Sequence, residues 1–234
     1  MIKTIIFDFD GVLVESVDIK TKAFAKLFKT EGEDIVEKIV DYHLKNAGVS
    51  RFEKIKYIYQ NMLKRDLSEK TFDNLCQQFS HLVIDEVVNA PYVKGAKEFL
   101  DRYSSKYVCF IASATPQDEI EEIIKRRHMM RYFKGVYGSP KKKGDIIREI
   151  LVAYTLEYNA MPFSSVDSPQ SFVYIGDAMN DYLAAKENKV VFIARTTNDN
   201  CWIFKELDCI KLNDLMNLKD AISSVHCQEG ESLG

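Results

Sequence analysis

Two aspartates near the start of the chain have a type and spacing that suit chemistry. Asp8 and Asp10 close the apolar stretch MIKTIIFDFD, and Gly11 follows at once. If the backbone stays extended, alternate side chains point to the same side, so both carboxylates face one space. Such carboxylates act as nucleophiles, general acids or bases, or metal ligands. Strands also often end in Asp and Gly because both suit turns, so DFDG alone leaves both interpretations open.

A second polar group follows the apolar stretch at residues 107–112, where the sequence is SATP. Thr115 is predicted to cap a helix that begins at Pro116, since Thr suits the N-cap position and Pro the first helical position. Ser113 and the neighbouring amide groups would then lie at the opening of that helix, where a phosphate binds readily. Capping alone explains Thr115 and Pro116, but it gives Ser113 no task.

Lysines and further carboxylates follow two later apolar stretches. Lys141, Lys142 and Lys143 follow GVYG, and Asp177 and Asp181 lie in the motif GDAMND. A run of lysines is usually a solvated surface, but a bound anion needs at least one cation, which an ammonium at a strand end supplies. If a helix begins just after GD, Asp181 lies in its first turn, near enough to Asp177 to share a cation. Carboxylates also occur in first turns for helix-dipole reasons alone.

The hydrophobic pattern predicts the elements that position these residues. Residues 2–9 form an apolar run that predicts a buried strand, and residues 16–88 show helical spacing that predicts about four helices. Strands and helices alternate thereafter, which predicts an α/β fold with a doubly wound parallel, Rossmann-like sheet and an inserted helical-bundle cap domain. The predicted domains are a core, residues 1–15 and 90–234, and a cap, residues 16–89.

The core is expected to contain five further strands and one loop. The strands are predicted at residues 107–112, around Val136, at residues 171–175, at the motif VVFIA and near Ile210. Residues 160–170 contain two prolines and three serines and predict a loop.

The four polar groups are expected to converge at one edge of this sheet. Carboxyl ends of parallel strands meet at the same edge, and ligands bind there. Up to four carboxylates in one place are tolerable only with a bound cation, and oxygen ligands suit Mg²⁺. A divalent ion and a lysine would neutralise a phosphate that the carboxylates otherwise repel. The sequence therefore predicts a phosphate and magnesium site.

Composition limits the partners and the compartment. The 234 residues carry a formal net charge of −3, so no global field attracts nucleic acid or an anionic membrane. The five cysteines form no CxxC pair, which favours a reducing interior, and we find neither a secretory signal nor an apolar run of membrane-spanning length. We expect a cytoplasmic protein that binds a small phosphorylated metabolite; its oligomeric state is left open.

Four motifs in order give the chain a family resemblance. DFDGVLVES, IASATP, GSPKKK and GDAMND resemble those of the haloacid dehalogenase superfamily, in its phosphoglycolate phosphatase and phosphomutase-like branch with a helical cap. The likeness extends over nearly the whole chain. It implies that Asp8 is the nucleophile, and that Asp10 is the general acid and base whose carbonyl also binds Mg²⁺. It further implies that Asp177 is a direct metal ligand and that Asp181 is either a ligand or a partner of the ligands.

The resemblance also implies how the phosphate and the rest of the substrate are bound. Ser113 and the amide of Ala114 would hold the phosphate, and the family spacing GSPxxK selects Lys143 among the three lysines. The cap loop NAGVSRFEK would face the active site, which makes its polar side chains candidate substrate contacts: Asn46, Arg51 and Lys54. The alternative for this loop is a surface turn with solvated side chains.

The leading hypothesis is a Mg²⁺-dependent phosphatase of a small metabolite, a sugar phosphate or a phosphoglycolate-like compound, that forms an aspartyl-phosphate. Asp10 favours phosphatase chemistry, because the dehalogenating and phosphonate-cleaving relatives lack this second Asp. A sugar phosphomutase is one alternative, although Lys20 stands where mutases usually carry a histidine. A catalytically idle domain that binds a phosphorylated ligand or a protein is another, but such a domain would be free to lose Asp8, Asp10 and Asp177.

Overall fold

A six-stranded parallel sheet forms the centre of the protein. The structure, a computed structural model, describes residues 2–157 and 171–225, so the loop predicted at residues 160–170 lies outside the described residues. The strand order is β3-β2-β1-β4-β5-β6, and every pairing is parallel. This sheet confirms the predicted α/β class. The strands are β1 Thr4–Phe7, β2 Val108–Pro116, β3 Gly135–Ser139, β4 Phe172–Gly176, β5 Val191–Arg195 and β6 Ile210–Leu212.

Strand β1 lies in the middle of the sheet because its side chains are apolar on both faces. Ile5, Ile6 and Phe7 are fully buried, as expected for a parallel strand covered by helices on both sides. Phe7 is in register with Ile111 of β2 on one side and Ile175 of β4 on the other. The chain order reverses between β1 and β4, which is where ligands bind in sheets of this kind.

Helices cover both faces of the sheet. Side chains of α5, α6 and α9 belong to the apolar cluster that contains Phe7, whereas side chains of α7 and α8 belong to the cluster that contains Ile6. This two-sided packing is that of a doubly wound fold. The core helices are α5 Ala96–Tyr103, α6 Gln117–Arg126, α7 Lys143–Glu157, α8 Met179–Glu187 and α9 Leu218–Ser224.

The first four of the five α-helices between β1 and β2 lie in the region predicted as the cap, and we call them the cap. They are α1 Val17–Leu27, α2 Glu33–Lys45, α3 Arg51–Tyr57 and α4 Glu69–Asn89. Ser50 and Ser68 begin α3 and α4, and each hydroxyl accepts a backbone N–H of the first turn. Buried side chains at helical spacing face one another between the helices, among them Phe24, Ile39 and Phe79. Among the described residues, no helix combines the length and apolarity needed to cross a membrane.

The end of β2 differs from the prediction. The strand extends to Pro116 instead of ending at Ala112, and its register with β3 shifts between those two residues. Helix α6 begins at Gln117 and has no side-chain cap. The prediction that Thr115 caps this helix is therefore wrong, because the Thr115 hydroxyl donates to Asp10 instead.

One arginine closes the end of the cap where the chain returns to the core. Arg127 Nη1 lies 2.9, 2.7 and 2.8 Å from the carbonyl oxygens of Val87, Val88 and Ala90. These carbonyls lie at the end of α4, where Val87 also accepts the amide of Ala90 but the regular helical partners run out, so a charged donor stabilises them. The guanidinium also lies over the ring of Tyr92, 4.5 Å from its centre.

We predict that Arg127→Met lowers the free energy of unfolding by about 2 kcal/mol, because three carbonyls lose a charged donor. The matched control is Arg126→Met, which removes an exposed arginine that pairs only with Asp85 and Glu122 at the surface. Urea unfolding of both variants measures the difference. Equal effects of the two substitutions would show that Arg127 has no special role.

Candidate active site

A cavity lies between the carboxyl edge of the sheet and the cap. Its volume is about 80 Å³, which corresponds to roughly six water molecules and suits a small ligand. Charged side chains and apolar cap residues line it together. The charged groups and the histidine are Asp8, Asp10, Lys20, His43, Arg51, Lys54, Glu119, Lys143 and Asp177.

Three buried carboxylates meet at the edge of this cavity. Asp8 follows β1, Asp177 follows β4, and Asp181 lies in the first turn of α8. Each offers one oxygen, and these three oxygens lie within 4.8 Å of one another. The sheet places them together because β1 and β4 are neighbours that end at the same level. The predicted convergence of these motifs is therefore present in the fold.

Lys143 lies among these carboxylates at the start of α7. Its Nζ is 2.8 Å from Asp8 Oδ2 and 2.5 Å from Asp181 Oδ1, and the side chain is buried. The two neighbouring lysines are exposed, and Lys141 pairs with Glu149 at the surface. Lys143 is thus the lysine of this run that reaches the site, as the motif spacing indicated. The two carboxylates raise its pKa even though burial acts in the opposite direction.

The Asp181 carboxylate is fully occupied by protein donors. Oδ1 accepts hydrogen bonds from Lys143 and from the Tyr174 hydroxyl at 2.8 Å, and Oδ2 accepts the amides of Asp177 and Ala178 at 3.2 and 3.1 Å. A carboxylate has about four acceptor sites, and here all four are used. Of the two roles expected for Asp181, the geometry favours the one that supports and orients its neighbours.

The Asp177 carboxylate, in contrast, receives no hydrogen bond from any described residue. Asn200 holds only its backbone carbonyl, at 2.9 Å. Gly11 lies against the carboxylate with a φ of +74°, and a Cβ at this position would overlap Asp177 Oδ2. Glycine is therefore required for both the turn and the close approach. Asp177 is left free to bind a cation.

Asp10 has a separate set of partners on the cap side of the cavity. It forms an ion pair with Lys20 of α1, and it accepts hydrogen bonds from Ser16 at 2.6 Å and Thr115 at 3.0 Å. Lys20 also donates to the Thr115 hydroxyl at 2.7 Å. Burial disfavours the charged form of Asp10, but Lys20 and the other donors outweigh it and lower the pKa.

The charge balance at the carboxylate cluster fits a divalent cation. The cluster holds three carboxylates and one ammonium, which pairs with two of them, so an excess of two negative charges is left in a buried place. Burial raises the pKa of Asp8 to about 7 and that of Asp177 well above its usual value, and the neighbouring carboxylates add to both shifts. Lys143 opposes these shifts without cancelling them. A divalent cation would restore neutrality, and the all-oxygen donor set suits Mg²⁺.

The residues expected to bind phosphate lie beside this cluster. Ala114 lines the cavity. Ser113 is buried, and its Oγ accepts the amide of Thr115 at 3.1 Å, which leaves its hydroxyl hydrogen available to a ligand. Both residues belong to the end of β2 and not to the opening of a helix.

The three expected cap contacts differ in what they offer. Asn46 does not line the cavity, because its amide donates to the Tyr42 carbonyl at the end of α2. Arg51 lines it but is committed to Glu119, with one hydrogen bond at 2.9 Å and a second shorter one, and to Ser80 at 2.9 Å. Contrary to the expectation for these two residues, neither Asn46 nor Arg51 has a side chain that is free to contact a substrate. Lys54 lines the cavity and has no carboxylate partner among the described residues.

Three cavity residues had no such role in the sequence analysis. Glu119 lies in the first turn of α6, where acidic residues are common for dipole reasons, so its sequence position carries no signal. Lys20 enters the sequence analysis only as the residue at the position where mutases usually carry a histidine. His43 carries no signal in the sequence either, because its partner Lys54 lies eleven residues away in the next helix and the two form no motif.

The cap lies closed over the cavity. Asn180 of α8 donates to the Gly48 carbonyl of the cap loop at 2.9 Å. The ion pair between Arg51 and Glu119 and that between Lys20 and Asp10 also join the cap to the core. Water is thereby restricted at the carboxylates, which strengthens electrostatic interactions there.

A family model and a curated relative match the chain. The model described as haloacid dehalogenase-like hydrolase matches residues 5–195, most of the chain, and confirms the superfamily inferred from the four motifs. The phosphorylated carbohydrates phosphatase of Thermotoga maritima is 23% identical over 201 residues, which cover 84% of this chain and 88% of the relative.

Solved structures share the fold. β-Phosphoglucomutase from Clostridium difficile superposes with a TM-score of 0.72 at 21% identity. The superposition covers 98% of this chain and 99% of the phosphoglucomutase chain. CbbY from Rhodobacter sphaeroides, in complex with phosphate, has a TM-score of 0.72 at 16% identity, covering 95% and 100%. At these identities the similarity establishes the fold.

We predict that Mg²⁺ raises the melting temperature of the wild-type protein and not that of Asp177→Asn. At a hundred times its Kd, a ligand stabilises the folded state by about 2.7 kcal/mol, which for a chain of this length is roughly 5–10 °C. Without Mg²⁺, Asp177→Asn should melt above the wild type, because it removes a buried charge whose pKa is raised by burial and by its neighbours.

Differential scanning calorimetry with and without Mg²⁺ measures both effects. The matched control is Asp41→Asn at the exposed surface of α2, which should respond to Mg²⁺ as the wild type does. Equal Mg²⁺ responses of Asp177→Asn and the wild type would exclude the cluster as the cation site.

Proposed function

The chain belongs to the haloacid dehalogenase-like hydrolase family, and we propose that it is a Mg²⁺-dependent phosphatase of a small phosphorylated metabolite, acting through an aspartyl-phosphate. One observation carries the proposal: three buried carboxylates lie together with a single lysine that pairs with two of them, next to Asp10 with its own donors. Binding a divalent ion there would make the site able to accept a phosphate dianion.

We assign the metal to Asp8, Asp177 and the backbone carbonyl of Asp10, with Asp181 as the residue that orients Lys143 and the amides around Asp177. The free carboxylate of Asp177 and the saturated carboxylate of Asp181 support this division. When bound, Mg²⁺ would neutralise charge on the phosphoryl oxygens and keep Asp8 ionised. We assign the phosphate oxygens to the Ser113 hydroxyl, the Ala114 amide and Lys143.

In the first step, an Asp8 oxygen attacks phosphorus and the bond to the leaving oxygen breaks. Asp10 must first take up a proton, because Lys20 and the other donors lower its pKa; it then gives this proton to the leaving oxygen, so that a neutral alcohol departs. Lys143 and Asp181 hold Asp8 in position during the attack, which supports a single direction of approach. Asp8 then carries the phosphoryl group.

In the second step, Asp10 acts as a base. It takes a proton from a water molecule whose oxygen attacks phosphorus, and the bond to the Asp8 oxygen breaks to release phosphate. Lys20, Ser16 and Thr115 stabilise the ionised form of Asp10, which suits this step. Asp8 is regenerated as a carboxylate, and Asp10 is again protonated for the next turnover.

Two features support a small substrate. The cavity between the sheet edge and the cap, of about 80 Å³, has room for the leaving group of a small metabolite. The name of the Thermotoga maritima relative, phosphorylated carbohydrates phosphatase, favours a sugar phosphate, and a phosphoglycolate-like compound fits the same space.

The described cysteines are free thiols, which supports a reducing, cytoplasmic setting.

A phosphomutase is the second candidate, favoured by the shared fold with β-phosphoglucomutase. Lys20 occupies the position where the resemblance expects a histidine, and it binds Asp10 directly. This difference favours hydrolysis in our proposal. Transfer of the phosphoryl group to a second hydroxyl of the same sugar, with no free phosphate, would support the mutase.

We predict that the protein releases phosphate from a panel of sugar phosphates and phosphoglycolate with Mg²⁺ and not with EDTA. Asp8→Asn should lower kcat by several orders of magnitude, because the amide is no nucleophile. Asp18→Asn, an exposed aspartate on α1, serves as the control and should retain activity. Phosphate release that survives Asp8→Asn would contradict the mechanism, as would a panel without turnover.

We predict that Asp10→Asn has an effect that depends on the leaving group. Sugar phosphates lose an alkoxide, which needs a proton, so their turnover should fall by about 10²- to 10⁴-fold. The leaving group of p-nitrophenyl phosphate is stable without a proton, so its first step should be affected far less. Burst kinetics with this ester would separate the two steps. An equal loss of the first step for both esters would argue against Asp10 as the acid.

A further inference from the structure

One cation of the cavity differs from all the others. Lys54 of α3 is only 3% exposed, yet no described carboxylate lies next to it. Its Nζ is 3.0 Å from His43 Nδ1 and 3.2 Å from the His43 carbonyl, both on α2. Each of the other three cationic groups that line the cavity has a carboxylate partner: Lys143, Lys20 and Arg51.

His43 adds a second donor to this part of the wall. Burial and the nearby Lys54 and Lys20 lower its pKa to about 2, so the imidazole is neutral. When protonated Lys54 donates to Nδ1, the ring hydrogen lies on Nε2, for which no described residue is an acceptor. His43 lines the cavity and packs against the ring of Phe24, 4.6 Å between centres. The pair therefore offers donors and no acceptor.

Aromatic rings lie against the pair. The Phe24 ring centre is 5.8 Å from Lys54 Nζ and 4.7 Å from that of Phe79, and Val83 and Val87 line the same cavity. A buried ammonium without a counter-ion is costly in such a place. The same arrangement becomes favourable when a ligand brings an anionic oxygen, because a charge-assisted hydrogen bond in a low dielectric is strong.

We propose that Lys54 and His43 bind a second anionic group of the substrate, a carboxylate or phosphate on the leaving group, distinct from the phosphate that is hydrolysed. This inference rests on the proposed function, because it assigns the leaving group to this cavity. It makes Lys54 the residue that selects between charged and neutral leaving groups. Arg51 does not fill this role, since Glu119 already neutralises it.

The test uses two pairs of phosphates that differ in the second anionic group. 3-Phosphoglycerate is compared with glycerol 3-phosphate, in which a hydroxymethyl group replaces the carboxylate, and fructose 1,6-bisphosphate with fructose 6-phosphate. Kd by titration calorimetry and kcat/KM are measured for the wild type, Lys54→Met and Lys56→Met. Lys56 is the matched control because it lies exposed on the same helix.

We predict that, in at least one pair, the wild type binds the member with the second anionic group more tightly. Lys54→Met should weaken the binding of that member about 10- to 100-fold. For the member without the second anionic group, Kd should change less than about threefold, and Lys56→Met should leave the Kd of both members unchanged. The pair that responds identifies the carboxylate or the phosphate. Equal losses for both members would overturn the proposal in favour of a structural role, as would a wild type without preference.

A pH series on the wild type supplies a second measurement, which tests the proposal even if Lys54→Met does not fold. Burial and the positive charges of Lys20 and Lys143 lower the pKa of Lys54 to about 7, with Asp10 opposing them and His43 staying neutral. Anion binding needs the protonated amine, so Kd for the charged member should rise as the pH increases above about 7. Lys54→Arg keeps its charge and should keep the preference without this slope.

Measuring binding and turnover separately distinguishes a failure of the proposed phosphatase function from a failure of the proposed anion site. If charged phosphates bind with the predicted Lys54 dependence and none is hydrolysed, the proposed phosphatase fails and the binding site stands. If they are hydrolysed with no dependence on Lys54, the phosphatase stands and this inference fails.

Discussion

The constraint on which this structure depends is electrostatic. Three carboxylates, Asp8, Asp177 and Asp181, are withdrawn from water and lie close together, and a single ammonium, Lys143, pairs with two of them, Asp8 and Asp181. Desolvated like charges repel one another strongly, so the folded state must supply donors or accept a cation. Asp181 is satisfied by four protein donors, whereas no residue in the described part of the chain donates to the carboxylate of Asp177. This unequal sharing leaves one position at the sheet edge where positive charge is needed.

The parallel sheet makes that arrangement possible at low cost in backbone order. Asp8 and Asp177 come from neighbouring strands that end at the same level, so no long loop has to be ordered to bring them together. Gly11 then turns the chain away without a side chain that would displace Asp177. The cap enters the chain just after this turn, and its first helix supplies Lys20 to Asp10. Core and cap are therefore connected at Asp10, in addition to the contacts of Arg51 with Glu119 and of Asn180 with Gly48.

The sequence predicted the parts of the protein that depend on local pattern. Apolar runs identified β1 and β4, and because parallel strands share an edge, the convergence of Asp8, Asp177 and Lys143 followed. The task of Thr115 was not predictable, since β2 continues past Ala112 and the hydroxyl bonds with Asp10, a partner 105 residues away. Glu119 and His43 were missed for the same reason. Their partners lie on other helices, and the packing of the cap decides those contacts.

The ion pair between Arg51 and Glu119 has a consequence for how this protein changes over evolutionary time. Its members lie 68 residues apart, one in the cap and one in the core, and both are largely buried. Losing one partner strands the other as an uncompensated charge, at about 3–5 kcal/mol, while replacing both together can be neutral. Single substitutions here are therefore selected against. Changes at this place in the cavity wall therefore require paired substitutions, one in the cap and one beside the sheet, so these two parts of the chain are expected to change together.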